Sequence, residues 1–440
     1  MKGDVVLRKQ AGRGAGVSYA WVILAVLYVA GIVTFGMRAS FGAYISSWEQ
    51  DFATSRTIVT AISVLSFAVL AFAQPLLGRL NDSLGKNFVP AVSIFLFGIC
   101  LYMTSRATHI WQVFMLYGVG FSIGATGCSN VVAMVSVSNW FVKKRGFALG
   151  LVTSGSAVGQ LILVPVNLFM IREFGWRSTM ATLSIIIVIV VAPLFIFLMR
   201  SKPEEKGMKP YGYLEAEDGI ERGDDEKAAE KISLSVIDVL KQRAFWLLTI
   251  PYFICGFTDV GLIQTHLIPI AEWKGFDDLS IVAIASGLIA ALNIGGAIVT
   301  GYLSDRFSRK RQLGIIYLIR AVTFVFLIAI QRPWLLFPFA VIYGAMEMAS
   351  IAPTNSLIVQ LFEKYSKGTV MGLVAVSHQL GGAAGSWVPG LLYDITGSYV
   401  TILAVSAALL IGSALLAQKI PEPDRSGLET ARGQGTGERN

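Results

Sequence analysis

The chain has 440 residues, of which 54% are hydrophobic and only 15% charged, and it carries a formal net charge of +8. Soluble globular proteins carry roughly 25% charged residues, so water is excluded as the solvent for most of this chain. The excess of Lys and Arg is then expected to report which loops stay in the cytosol, and it gives no support to a nucleic-acid partner.

Apolar stretches recur over 20–44, 57–79, 87–105, 110–139, 147–171 and 178–199. At about 1.5 Å per residue each is long enough to cross a hydrocarbon core of about 30 Å as a helix. The first lacks the short apolar run and small-residue cleavage site of a signal peptide, so it is expected to stay. Residues 200–243 break the pattern with Lys, Glu, Asp, Gly and Pro and read as a cytoplasmic linker. Its last part, SLSVIDVLKQRAF, has apolar residues at helical spacing suited to the membrane surface. A second series follows over 244–270, 279–302, 313–331, 334–361, 368–392 and 399–418. The fourth and tenth stretches exceed what a bilayer needs and are predicted to tilt or to project into the cytosol. The expected organisation is a helical bundle over 1–199, the linker over 200–243, a second bundle over 244–420 and a disordered tail over 421–440.

With the N-terminus inside, most Lys and Arg fall on the face that also holds the C-terminus. The other face keeps Arg56, Arg106, Arg172, Arg177, Lys274 and Arg332, while Arg38 and Arg320 fall within spans. The expectation is a multi-pass protein of the cytoplasmic inner membrane with both termini cytosolic. Cys100, Cys128 and Cys255 lie in apolar segments without metal-ligand spacing and read as small packing residues, with no metal or cofactor implied.

The two sides of the linker repeat each other. GRLNDSLGK from Gly78 corresponds to GYLSDRFSRKR from Gly301, and GFALGL from Gly146 to GTVMGL from Gly368. The members of both pairs are separated by almost the same length of chain, and each pair occupies the same loop of its half, which argues for duplication.

These residues resemble the major facilitator superfamily, whose loop between the second and third helices carries a G-x-L-x-D-x-x-G-R/K pattern. The first copy here is Gly78, Leu80, Asp82, Gly85 and Lys86. The second is Gly301, Leu303, Asp305, Arg306, Arg309 and Lys310. Within the superfamily the chain is similar to the monocarboxylate porter and oxalate/formate antiporter group. That likeness rests on AWVILAVLYVAGIVTFGMRASFGAY, WFVKKRGFALGL, FWLLTIPYFICGFTDVGLIQTHLIP and SHQLGGAAGSWVPGLLYDITGSY. The resemblance implies an all-α fold of twelve transmembrane helices in two pseudo-symmetric six-helix bundles, rocking around a midplane cavity. It implies a monomeric secondary transporter of a small organic anion such as a monocarboxylate, moved with a proton or exchanged for another anion. Relatives use a cation on the first span, matched by Arg38. They also use an Asp and an Arg on the eighth, where this chain has Asn293 and Ala297, so that pair is missing.

Ionisable groups within a bilayer are costly and mark functional candidates. Arg38 offers a planar fork to a carboxylate. Asp259 and Glu347 fall mid-span in the seventh and tenth stretches, where carboxyl groups are suited to exchanging protons near neutrality. His266 lies seven residues beyond Asp259 on the same helical face and is a candidate relay. His378 and Gln379 on the eleventh span, with Asn130 and Asn293, could supply hydrogen bonds to substrate. The resemblance places Arg79, Asp82, Asp305, Arg306 and Arg309 in a gating contact. Arg320, toward the cytoplasmic half of a peripheral span, is expected to snorkel or brace. A structural role remains open for each of these groups.

Three readings compete with an anion carrier. Asp259 and Glu347 also suit an exporter of a cationic, zwitterionic or neutral solute. A receptor or scaffold without transport is opposed by the loop pattern in both halves. No nucleophile-base, metal or nucleotide-loop constellation speaks for an enzyme.

Overall fold

The structure, a computed structural model, describes residues 18–84, 88–128, 130–200, 203–212, 236–276, 278–362 and 367–422. Its helices resolve among these residues into twelve spans. In the first half, α1 runs Tyr19–Ala39 and continues past a break at Ser40 as Phe41–Asp51, α2 is Arg56–Leu84 and α3 is Phe88–Ser105. α4 covers Ile110–Val113, a π-helical Phe114–Phe121, Ser122–Gly127 and Asn130–Trp140. One continuous run turns at Gly175, whose φ of 76° is open to glycine but strained for other residues, and this divides α5 (145–174) from α6 (176–198). In the second half, α7 is Arg243–Trp273, α8 Leu279–Arg306, α9 Arg309–Ala329, α10 Pro333–Leu361, α11 Lys367–Thr396 and α12 Val400–Gln418.

The number and order of spans agree with the sequence expectation, and the differences lie at the ends. α1, α2 and α9 run beyond the apolar stretches because a helix gains backbone hydrogen bonds after it leaves hydrocarbon. The start of α9 shows how such an extension is held. Ser308 caps it, and Glu422 beyond the last span accepts from Ser308 Oγ (2.5 Å) and from the Arg309 backbone N–H (2.8 Å).

One face carries the starts of α1, α5 and α9 and the ends of α4, α6 and α12, with the described linker residues. Tyr19 donates to the Leu198 carbonyl, Trp140 to the Arg200 carbonyl, and Tyr211 pairs with Phe141. This is the terminal face. The opposite face carries the α1–α2, α3–α4, α7–α8 and α11–α12 turns.

Each half has its own apolar core, and that of the second half reaches across to Ala39, Ala43, Val164 and Leu168 of the first. Between halves, α2 packs on α11, α5 on α8, and the end of α1 on the end of α7. Large apolar side chains such as Phe169, Ile189, Phe197, Val322 and Leu415 remain exposed around the outside, where lipid, having no hydrogen bonds to lose, covers them. Helices of one apolar solvent gain little by burying apolar area, so close backbone approach must hold them together. A Cβ on Gly36 of α1 would strike the Gly159 carbonyl of α5. On the α7–α11 crossing, Gly256, Gly381 and Gly385 leave no room for a side chain against the facing backbone.

Candidate functional site

Breaks in helices place the polar groups. Arg38 sits just before the α1 break, with the Ser40 hydroxyl turned back onto the Gly36 carbonyl (2.8 Å). Asp259 lies within a π-helical stretch of α7, Phe257–Ile263, and Glu347 is the last residue of the first segment of α10. Such interruptions re-aim side chains and free backbone groups where they line a cavity.

The Arg38 guanidinium enters a cavity between the halves, lined by Phe41, Ser63, Ser66, Phe67, Tyr117, Val260, Gln264 and Thr265. Its Cζ lies 5.0 Å from the Phe35 ring centroid and 5.6 Å from that of Phe67. No carboxylate pairs with it among the described residues. A second cavity is lined by Gln160, Gln264, Ser286 and Glu347 among apolar neighbours. Gln264 borders both and donates to Glu347 Oε1 (3.3 Å). The other carboxylate oxygen accepts from the Asn293 amide.

Behind Glu347 the cluster continues deeper within the second half. The Asp259 side chain is 3% exposed, stands beside Glu347, and its Oδ1 has no hydrogen-bond partner. Arg320 is fully buried and donates to Cys255 Sγ and Thr258 Oγ1 (both 3.0 Å) and to the Tyr343 hydroxyl (3.4 Å). It braces α7 and α10 from inside the bundle. Of the two expected roles, snorkelling and bracing, Arg320 takes the second, because its fork faces the core and reaches neither surface. Two carboxyls and one guanidinium share this cluster, so with both acids ionised it carries one excess negative charge in a medium of low dielectric. A single proton cancels it.

The opposite face is closed by a cross-half network. Arg56 at the start of α2 holds Glu49 through two bonds (2.6 and 2.8 Å), donates to the Tyr399 hydroxyl (3.0 Å) and lies 4.1 Å from the Tyr393 ring centroid. Asp394 at the end of α11 accepts from the backbone N–H of Arg56 (3.3 Å) and Thr57 (2.8 Å), capping a helix of the other half. Ser46 bonds Glu272 and Ser63 bonds Ser386 across the same seam. His266 Nδ1 bonds the Tyr399 hydroxyl (2.9 Å), and Nε2 bonds the Ser386 carbonyl (2.8 Å). A carbonyl only accepts, so Nε2 carries the proton.

The profile of the Major Facilitator Superfamily matches residues 27–328 and again 278–439. The chain belongs to the major facilitator superfamily. Among curated superfamily members it is 25% identical to an uncharacterized MFS-type transporter, YcxA, of Bacillus subtilis, over 92% of this chain and 96% of the relative. It is 23% identical to monocarboxylate transporter 12-B of Danio rerio over 90% and 86%. Of solved structures, a D-xylose-proton symporter aligns with a TM-score of 0.70 at 14% identity, covering 92% and 98%. A bacterial homologue of the human lysosomal transporter Spinster, in its inward-facing and occupied conformation, aligns at 0.68 and 14%, covering 92% and 96%. The resemblance read from the loop motifs is thereby established at superfamily level, together with the twelve-helix fold. The chain is a membrane transporter of this superfamily and not an enzyme.

Of the residues singled out in the sequence, the structure brings Arg38, Glu347, Asn293 and Asp259 to the cavities and the cluster beside them. His378 is half-buried, its ring 4.7 Å from that of Tyr252, and its nitrogen approaches Cys255 and Asp259. Gln379 is half-buried and lines neither cavity. His266 is bonded into the opposite-face seal and makes no hydrogen bond to Asp259, which lies two helical turns away. The side chains of Arg79, Asp82, Asn130 and Asp305 lie outside the described residues. Arg306 is exposed over the Tyr302 ring (4.3 Å). Arg309 is half-buried, and its backbone N–H is held by Glu422. Sequence reasoning missed Gln264, which borders both cavities, and the Arg56 network. The polar run Gln264–Thr265–His266 inside an apolar span was the available signal for the first. The second had none, because Arg56 reads as an ordinary loop cation.

Proposed function

We propose that the chain moves a small organic anion, a monocarboxylate or related acid, by alternating access, with a proton moving alongside. The observation that carries this reading is Arg38: a half-buried guanidinium in a cavity between the halves, flanked by two aromatic rings and without a carboxylate partner among the described residues. An anion supplies the missing charge, and the hydroxyls of Ser63, Ser66 and Tyr117 offer hydrogen bonds around it. The likeness to monocarboxylate transporter 12-B points to the same solute class.

Proton linkage rests on the Asp259–Glu347–Arg320 cluster, where one added proton restores neutrality. Gln264 connects it to the anion cavity, so substrate and proton sites share a residue. With both termini cytosolic, as the distribution of Lys and Arg suggests, the sealed opposite face is the outer face of an inner membrane. Anion exchange is the variant in which the cluster keeps its proton through the cycle.

The test is uptake of radiolabelled monocarboxylates into proteoliposomes holding the purified chain, with and without an inward proton gradient. Saturable uptake that the gradient accelerates is expected, with a KM that Arg38→Gln raises at least about tenfold. An unchanged KM in Arg38→Gln removes the anion-binding role. A second reading has its own observation: Glu347 lines the second cavity, where a cationic or zwitterionic solute would find a carboxylate. Selective transport of organic cations, lost in Glu347→Gln and retained in Arg38→Gln, would replace the first reading by the second.

A further inference from the structure

We propose that Cys255, Asp259 and His378 form a binding site for a thiophilic divalent transition-metal cation, with Zn²⁺ as the prototype. This site goes beyond the transport reading and does not depend on it. One thiol sulfur, one carboxylate oxygen and one imidazole nitrogen lie within 4.8 Å of one another. Sulfur, nitrogen and carboxylate oxygen are the donor set that selects zinc over magnesium or calcium.

A second observation points to a ligand independently of this proximity. Asp259 Oδ1 is buried and unpartnered, in a protein interior where nearly every such atom is bonded. The donors also sit on a rigid frame. Cys255 and Asp259 are four residues apart on α7, and His378 faces them from α11, where Gly256 packs directly on the His378 carbonyl. Bonds of about 2.0–2.3 Å require the donors to close up slightly. His378, the half-buried member, has the freedom to do so.

Charge allows the ion despite the nearby guanidinium. Binding converts the Cys255 thiol to a thiolate and releases its proton, so thiolate and Asp259 carboxylate together balance the divalent ion. Glu347 remains to balance Arg320. The Arg320 Nη1 donor, already 3.0 Å from Cys255 Sγ, becomes the outer hydrogen bond that a metal-bound thiolate accepts. Three protein ligands leave a fourth position for water. An ion here ties α7 to α11 and occupies the carboxylate that the cluster otherwise shares with a proton.

The experiment uses the full chain, purified in detergent and stripped with a chelator. Zn²⁺ is titrated against a chromophoric competitor, and Co²⁺ binding is followed by absorption. One equivalent of Zn²⁺, unaffected by excess Mg²⁺, is expected, with a near-ultraviolet thiolate-to-cobalt band. Affinity should fall at least about tenfold in Cys255→Ser and in His378→Gln, the scale on which zinc sites lose affinity when their shells are disturbed. It should be unchanged in His109→Gln, whose imidazole is exposed in the α3–α4 turn. Metal-free melting curves establish that each variant is folded. If Cys255→Ser fails to fold, His378→Gln and the cobalt band of the parent chain decide. Less than one equivalent bound, a missing thiolate band, or full affinity retained in His378→Gln overturns the site, whatever the transport assay shows.

Discussion

In the proposed cycle Arg38 and Glu347 divide two tasks, anion binding and proton coupling. A guanidinium that meets a carboxylate through charge-assisted bonds contributes about 1.5–3 kcal/mol. Arg38→Gln should therefore weaken anion affinity by roughly 10- to 100-fold, read as a rise in the uptake KM. Arg38→Lys should recover only part of this, since an ammonium lacks the planar fork. Glu347→Gln keeps the shape, and a flip of the Asn293 amide lets its Oδ1 accept from the new NH2, but one acid is removed from the cluster. Uptake at saturating anion is then expected to lose its dependence on the proton gradient, while binding measured by ligand-induced melting shifts persists. A KM effect from Glu347→Gln with gradient dependence intact would instead place Glu347 at the substrate. At this scale the sequence was legible wherever a charge interrupted an apolar run, as at Arg38, Asp259 and Glu347. Partners were not legible: that Asn293 faces Glu347, or that Arg320 points into the bundle toward Cys255, depends on helix rotation, which mid-span position alone leaves undetermined.

Helices in this chain are fixed less by apolar patterning than by where backbones touch. The spans themselves follow from hydrocarbon thickness, and sequence located all twelve. The π-helical stretches in α4, α6 and α7 and the break after Glu347 carry no comparable signature, since they arise from packing against neighbouring helices. Gly385 on α11 abuts the Phe257 backbone at the start of the α7 π-stretch. Gly385→Val should separate the two helices and cost several kcal/mol by overpacking, seen as a lower melting temperature and lost uptake. At the terminal face, a carboxylate rather than a glycine does the joining. Burial alone would raise the Glu422 carboxyl, but bonds from Ser308 and the Arg309 and Lys310 backbones hold it below the usual range. Its native value being depressed, the contact contributes stability above the ordinary glutamate value of about 4.3 and loses it as pH falls through the lower native value. Amide exchange in the first turn of α9 should accelerate over that acidic window, and Glu422→Gln should remove the acceleration.

At the scale of the whole molecule, transport requires the opposite-face seal to part while the two bundles stay intact. The groups that close it join the halves: Asp394 of one half caps α2 of the other, and Tyr399 links Arg56 to His266. His266, Tyr399 and Ser386 all belong to the second half and stay bonded to one another whether or not the halves meet. Arg56 keeps Glu49, which lies in its own half, in either state, so the differential contacts that hold the seal are those to Asp394, Tyr399 and Tyr393. A contact present in one state alone biases the equilibrium by its full net value. Asp394→Asn removes the charge from two backbone donors at a helix N-terminus, and about 1.4 kcal/mol lost there shifts the balance tenfold toward opening. The shift is measurable with Ser66→Cys, a cavity position, labelled by a membrane-impermeant maleimide applied to the opposite face. Labelling should be slow in that background and about tenfold faster when Asp394→Asn is added, with melting temperature nearly unchanged because neither bundle core is touched. Equal rates in the two backgrounds would mean that the Asp394 contact exists in both states, leaving the contacts of Arg56 with Tyr399 and Tyr393 to hold the face shut.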